Sequence, residues 1–328
     1  MRVLYIGGTG QISYACLQAS AAAGQQCTVF NRGTSAEPLP PGVRQITGDV
    51  NDRSAYSALS REHFDVVCQF TAYNLSDIER DIEVFGGHTA QYLFISTASA
   101  YQKPPRTHLL TEEVPLSNPY WPYSQAKADM EKRLMEAQEA KQIAATIVRP
   151  SHTYRTRFPG TFINGDAHAW RMLNGRVTIS HGDGQSVWTL THASDFAVPF
   201  VRLLGNPSAL GEAFHVTGDR AYTWDQIFRA MGEALGITPR IVHVPTDTLV
   251  RYKPEWAGPL LGDKSWSALF DLTKLKLAVG EFECQMDLSD GLQQAAKYVR
   301  RRVEQMTPDL ELHALVDRIA EEQSQLGA

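Results

Sequence analysis

A phenol and an ammonium stand four residues apart in Tyr123-Ser124-Gln125-Ala126-Lys127, a spacing that puts both on one face of a helix. An unperturbed tyrosine titrates near 10, so proton transfer near neutrality needs a positive charge that stabilises the phenolate. Lys127 is placed to supply it. A solvated aromatic and lysine pair is the commoner meaning of this spacing taken alone. The setting argues otherwise. Pro122 opens the helix, in a first turn whose amides lack partners in any case, and the helix falls between two apolar extended runs, 92–96 and 144–148. The first run ends Ser96-Thr97-Ala98-Ser99-Ala100-Tyr101, which delivers several hydroxyls to one edge, where one could hydrogen-bond a substrate oxygen.

A second chemical signal lies at the start of the chain. Gly7-Gly8-Thr9-Gly10-Gln11-Ile12-Ser13 follows the extended run 3–6 and leads into a helix expected over 10–24. Glycines there allow a tight turn and let backbone amides approach a pyrophosphate at the positive end of the helix. A glycine loop in isolation is weak evidence, but one between a strand and a helix, at the front of the chain, predicts a dinucleotide site. NAD enzymes of this design carry a carboxylate at the end of the second strand, about 20 residues on. Here that strand ends Phe30-Asn31-Arg32, and an arginine attracts a 2′-phosphate and stacks on adenine. NADP is therefore expected in preference to NAD. Asp49, in Gly48-Asp49-Val50, could accept from the adenine amino group or simply cap its turn.

These residues need a scaffold, and the pattern supplies one. Extended runs at 3–6, 28–30, 43–47, 65–70, 92–96 and 144–148 alternate with amphipathic stretches near 10–24, 53–60 and 76–89 and after Pro122. Such alternation predicts an α/β protein with a doubly wound parallel sheet of six strands and ligands at their carboxyl ends. Residues 1–150 are expected to form the dinucleotide-binding domain. Residues 151–328, where the alternation weakens and Gly, Pro and Trp become frequent, are expected to form a smaller substrate-side domain with some segments returning to the core. One of its helices is expected over 224–235. Leu312, Leu315, Val316 and Ile319 fall on one helical face, so the last twenty residues should dock as a helix.

Composition narrows the classes. Of 328 residues 43% are apolar and 20% charged, enough apolar surface to offset the entropy of ordering. Thirty-one Lys and Arg against 36 Asp and Glu leave a net charge of −5, a poor electrostatic footprint for nucleic acid. Cys16, Cys27, Cys68 and Cys284 stand singly, as expected in a reduced, cytoplasmic setting, and no apolar run approaches the roughly 18 residues of a membrane span. His181 near Asp183 is too few ligands for a metal site, and none is expected. Asp195 reads as a capping or structural residue.

Taken in order, Gly7-Gly8-Thr9-Gly10, Gly48-Asp49-Val50, Phe70-Thr71-Ala72, the Ser96 to Tyr101 run, Tyr123 to Lys127 and Arg149-Pro150 resemble the extended short-chain dehydrogenase/reductases, in the NAD(P)-dependent epimerase/dehydratase branch. The likeness continues through Gly182-Asp183-Gly184, His192 to Asp195 and Phe214 to Gly218. It implies Tyr123 as acid/base, Lys127 as the group that lowers its pKa and binds the nicotinamide ribose, and Thr97 as the hydroxyl on the reacting oxygen. It also implies cofactor contacts from Gly7, Thr9, Gly10, Gln11, Ile12, Asn31, Arg32, Asp49, Val50, Phe70, Thr71, Ala72, Lys127 and Pro150. The Asp-Glu pair with which related dehydratases eliminate water is replaced by Ala98-Ser99. The substrate-holding asparagine and arginine of related sugar-nucleotide epimerases are replaced by His152 and Trp188, which puts a UDP-sugar in doubt.

Ser99, His152 and Trp188 are thus the expected substrate contacts, with Arg155 and Arg157 able to receive an anion or simply to be solvated. Ser13 stands in for the last loop glycine. The implied activity is hydride transfer on a hydroxyl or ketone of a small polyol or sugar-like molecule, as an oxidoreductase or an epimerase, in a possible homodimer without nucleic-acid or membrane partners. The alternative is a non-catalytic cofactor-sensing or RNA-associated relative.

Overall fold

The structure, a computed structural model, describes residues 1–326. Its first half runs β1 (Arg2–Ile6), α1 (Ser13–Ala22), β2 (Gln26–Asn31), β3 (Arg44–Thr47), α2 (Arg53–Ser57), β4 (Val66–Gln69), α3 (Leu75–Phe85), β5 (Gln91–Ile95), β6 (Leu109–Leu110), α4 (Pro122–Glu139) and β7 (Ala145–Pro150). There follow β8 (His152–Tyr154), α5 (Gly165–Leu173), β9 (Thr178–His181), β10 (Val187–His192), α6 (Ala193–Leu203), β11 (Glu212–Val216), β12 (Ala221–Thr223) and α7 (Trp224–Ala234). Beyond these lie β13 (Ile241–Val244) and a helical C-terminal region that ends in the helices Leu288–Gln305 and Leu310–Leu326.

Seven parallel strands form the main sheet in the order β11-β7-β5-β4-β1-β2-β3. Six were expected. The seventh, β11, pairs with β7 from Glu212↔Thr146 to Val216↔Pro150 after a long excursion of the chain. A short run such as Phe214–Val216 cannot reveal locally that it returns to a sheet edge, because the partner that satisfies its backbone groups is supplied by tertiary structure. The alternation of side chains buries both faces. Val3, Tyr5, Val66, Cys68, Leu93 and Val148 pack under α1 and α6, whereas Leu4, Ile6, Val67, Tyr92 and Phe94 pack under α3 and α4.

Two starts fix the helices that matter to the site. Helix α1 begins at Ser13 rather than Gly10, because the Ser13 hydroxyl accepts the Gly10 amide at 2.9 Å and holds residues 10–12 as a loop. Helix α4 begins on Pro122 at its first turn and buries Ser124, Lys127, Met130, Glu131, Leu134 and Ala137 at helical spacing. Beyond the main sheet, Trp188, Trp224, Phe228 and Leu292 share a second core in which α7 packs on α5 and on the helix Leu288–Gln305. In the last helix Val316 and Ile319 are buried, while Leu312 and Leu315 are partly so.

Candidate active site

The glycine loop is shaped by contacts that no other residue could make. Gly7 and Gly8 have φ of 107° and 76°, and a Cβ on Gly8 would lie 2.8 and 2.9 Å from the methyls of Val29. The backbone can therefore cross the end of β2 closely, and it opens on a cavity of about 620 Å³. Gly7, Thr9, Gly10, Asn31, Arg32, Asp49, Val50, Phe70 and Thr71 all line it. Asn31 ties the loop together, accepting from the Gly33 amide at 3.0 Å and from Gln45 at 2.8 Å while its own amide faces the Gly7 carbonyl at 3.4 Å. Arg32 is exposed and makes no hydrogen bond or ion pair among the described residues. Asp49 accepts the backbone and side-chain amides of Asn51 at 2.9 and 3.0 Å, so it holds its turn while lining the cavity.

Behind this wall stands a buried carboxylate. Asp81 accepts from Tyr56 at 2.6 Å and from Tyr92 and Gln69 at 2.5 Å, with Arg80 beside it at 3.2 Å. Burial raises its pKa against the pull of Arg80 and the three donors. Gln69 passes this order forward, since its carbonyl oxygen accepts the Thr71 amide at 2.7 Å and hydroxyl at 3.0 Å. Neither Asp81 nor Gln69 announces itself in the sequence.

A second cavity, of about 320 Å³, adjoins the first, and Gly10, Ser13, Phe70 and Tyr73 line both. Gln11, Ile12, Ile95, Ser96, Thr97, Tyr123, Lys127 and Pro150 complete it. Tyr123 and Lys127 thus face one space, as their spacing requires. Lys127 is 3% exposed and donates to the carbonyls of Ala72 and Ile95, both at 2.8 Å, with its ammonium 4.6 Å from the ring of Phe94. Burial pushes it down to about 8, opposed by Glu131 and Asp77.

The expected lowering of the phenol is not found. Tyr123 keeps 36% of its surface, yet desolvation pushes it up to about 12, with Tyr73 adding to the rise and the Thr97 hydroxyl opposing it. Burial of the phenol is the leading cause, and the Lys127 ammonium, engaged by two carbonyls, is not among the groups that lower it. Four expected contacts, Ala72, Ser99, His152 and Trp188, stand back from the two cavities. Ala72 is fully buried and contributes its carbonyl to Lys127, not a surface to a ligand. Ser99 lies behind Thr97, its hydroxyl 3.0 Å from that of Thr97 and 2.7 Å from that of Ser124. The 3-10 turn Ala98–Ala100, capped by Thr97, rotates it there.

Gln11 is in the wall, but its amide is spent on Thr156, donating to the hydroxyl at 2.8 Å and accepting the backbone amide at 2.9 Å. Arg155, largely buried 4.6 Å from the Tyr14 ring, pairs with Glu37 at 2.9 Å rather than being solvated, whereas Arg157 is exposed and pairs with Asp166 at 2.8 Å. Trp188 is buried against Trp224, and burial, with the Lys264 ammonium nearby, pushes His152 down to about 3. Asp195 accepts the amides of Gln285 and Met286 at 3.0 and 3.1 Å, a structural role. His181 meets the Lys264 carbonyl at 2.8 Å, and no cluster of three or more metal-ligating side chains occurs among the described residues. The four cysteines are free and buried, and no described helix is long and apolar enough to cross a membrane. Tyr73, which bridges the two cavities 5.4 Å from the Lys127 ammonium, was not among the expected residues.

A seven-stranded parallel sheet, a glycine loop at its first crossover and a tyrosine and lysine facing the same groove define an extended short-chain dehydrogenase/reductase. The sequence model of the NAD dependent epimerase/dehydratase family matches residues 3–217, and the chain belongs to that family. Among curated relatives it is 27% identical over 288 residues to the 2'-dehydrokanamycin reductase of Streptomyces kanamyceticus, covering 83% of this chain and 77% of that protein. It is 28% identical over 260 residues to the chloroplast stem-loop binding protein of 41 kDa b of Arabidopsis thaliana, covering 74% of this chain and 65% of that protein. Among solved structures, the dTDP-glucose 4,6-dehydratase of Bacillus anthracis in complex with NAD superposes with a TM-score of 0.73 at 20% identity, over 93% of this chain and 98% of that one. That likeness establishes the fold alone.

The grooves fit a nicotinamide dinucleotide on this chain's own evidence: a loop whose Cβ positions are already filled by Val29 and Thr71, a helix N-terminus beside it, and an unpaired guanidinium at the far end.

Proposed function

We propose that the protein reduces a ketone to a secondary alcohol on a small polyol or sugar-like molecule, using NADPH in preference to NADH. The observation that carries the reading is the convergence of Tyr123, Lys127 and Thr97 on a cavity continuous with the glycine loop. The nicotinamide dinucleotide supplies the hydride. Thr97 orients the carbonyl oxygen, and Tyr123 gives it a proton. A phenol pushed up to about 12 is fully protonated near neutrality, which suits donation to an oxygen gaining charge more than abstraction from an alcohol. Lys127, held by two carbonyls, keeps a third donor that would hold a ribose hydroxyl of the cofactor, and Arg32 would hold the 2′-phosphate.

The likeness to a reductase acting on 2'-dehydrokanamycin supports reduction, and Ala98-Ser99 in place of an acidic pair speaks against elimination. The test has two parts. Calorimetry should show NADP⁺ binding tighter than NAD⁺, and a panel of keto-sugars should include one that consumes NADPH stoichiometrically. Conversion without net consumption would make the protein an epimerase instead. A second reading, a stem-loop-binding protein without turnover, draws on the Arabidopsis relative. The net charge of −5 and the presence of both Tyr123 and Lys127 weigh against it, and salt-dependent retention of an RNA hairpin with no turnover would favour it.

A further inference from the structure

Beyond Tyr123 lies a group of buried charges that the proposed chemistry does not use. Lys103, Asp263 and Lys264 are 5%, 7% and 6% exposed. They come from two segments far apart in sequence, the stretch after the Ser96 to Tyr101 turn and a π-helical turn at Leu260–Lys264. That turn is fixed against the site. Asn118 donates to the Ser99 carbonyl at 2.7 Å and to the Gly262 carbonyl at 2.6 Å, tying it to the turn that carries Thr97. Trp121 fills the space above it, since a Cβ on Gly258 or Gly262 would lie 2.7 or 3.0 Å from its side chain. The same indole is 5.2 Å from the ring of Tyr123.

The charges are unequal. Lys264 pairs with Asp263 at 2.7 Å, and its ammonium is 5.6 Å from the ring of Trp121 and 5.7 Å from that of Trp188. The Lys103 ammonium has no hydrogen bond or ion pair among the described residues. Burial depresses its pKa, and the Asp263 carboxylate only partly opposes this. The Trp121 indole, 5.6 Å from the Lys264 ammonium and 5.2 Å from the Tyr123 ring, places the group beside the reacting end of the groove, and Asp263 also raises the Tyr123 phenol. His152, pushed down to about 3, adds no charge. Lys103 joins the group through its backbone amide, which donates to the Ser117 carbonyl at 3.1 Å next to Asn118, so two lysines share the neighbourhood of one carboxylate, and a desolvated ammonium without a counter-charge is costly until something supplies one. A neutral polyol would leave that cost in place. An arriving anion would remove it.

We propose that Lys103 and Lys264, with Asp263 holding Lys264 in place, form a substrate-specificity site for a carboxylate or phosphate group carried by the sugar-like substrate, with Trp121 packing on its carbon skeleton. This deepens the proposed function and rests on it.

The test uses the full-length protein saturated with NADP⁺, titrated with D-glucuronate, D-glucose 6-phosphate, D-glucose and D-glucosamine, for the wild type and for Lys103→Met and Lys103→Arg. At least one anionic sugar should bind about tenfold or more tighter than glucose, with glucosamine no better than glucose. Lys103→Met should abolish that advantage and Lys103→Arg restore most of it, while NADP⁺ affinity stays within about twofold throughout. Glucuronate ahead of glucose 6-phosphate identifies a carboxylate, and the reverse order a phosphate. Equal binding of anionic and neutral sugars, no binding of either anion at about 10 mM, or an anion preference that survives Lys103→Met overturns the inference. Failure of the wild type to bind NADP⁺ would instead overturn the proposed function.

Discussion

The two ends of the groove are built on different principles. Around the glycine loop the wall is shaped by backbone: Gly7 and Gly8 in conformations that favour glycine, a helix N-terminus, and strand ends at β1, β2 and β4. Beyond Tyr123 the structure is held by side chains reaching distant segments, such as Asn118 to Gly262 and Lys264 to Trp188. The chemistry of burial differs too. His63, His88 and His108 of the first half are exposed, whereas of the seven histidines beyond residue 150 five (His168, His181, His192, His215 and His313) are buried, His152 is partly buried and His243 is exposed; five of the six tryptophans also lie beyond residue 150. A backbone site tolerates almost any sequence around it and specifies the common cofactor. A side-chain site can be rebuilt for a new substrate without disturbing the loop.

That contrast can be broken most sharply at Gly8. Gly8→Ala should cost about 1–3 kcal/mol through its φ of 76° and the contact with Val29, and should weaken NADP⁺ binding. Gly175→Ala, at φ 65° with nothing within 4 Å of the added carbon, should cost about 1 kcal/mol and leave cofactor affinity unchanged. Denaturant titration and calorimetry on both variants separate the two, and equal effects on cofactor affinity would erase the distinction.

Acid should find the second half first. Burial pushes His152, His168 and His215 down to about 3 and His181 to about 4, from 6.5. Below 6.5 the unfolded chain takes up protons that the folded one refuses, so stability falls as pH drops from about 6.5 towards 4. Urea midpoints followed by tryptophan fluorescence should decrease steadily over that window, and a flat profile would contradict the burial of these rings as neutral groups.

Arg32→Ala is expected to weaken NADP⁺ about tenfold and NAD⁺ hardly at all, measured by calorimetry; parallel losses would show that the guanidinium does not read the 2′-phosphate. A further effect, on stability alone, belongs to Lys127. Its folded pKa of about 8 lies below the ordinary lysine value of 10.5, so the unfolded state binds more protons between those values and stability rises with pH across that window, by at most about 3 kcal/mol. Lys127→Met should remove that slope from the pH dependence of the urea midpoint.

The same contrast explains what could be read from the chain. Glycines followed by a helix, and a tyrosine four residues before a lysine, are local patterns, and the structure brings all of them to the adjoining cavities. Local spacing could not show that β11 rejoins the sheet, since its pairing with β7 spans the whole of the intervening excursion. It could not show that a 3-10 turn would carry Ser99 behind Thr97, or that Lys127 would be engaged by the carbonyls of Ala72 and Ile95. Asp263 and Lys264 had no signal of any kind, because their meaning comes from Lys103, Trp121 and Trp188, each supplied by another segment.

The central claim is that the Tyr123 phenol gives its proton to the substrate oxygen beside the nicotinamide. Its most direct test is turnover of NADPH by Tyr123→Phe, at saturating cofactor, on a keto-sugar that the wild type reduces. The expected result is a fall of about 10³-fold in turnover with NADPH affinity unchanged within about twofold. Turnover within about tenfold of the wild type, with the variant folded and the cofactor bound, would contradict it.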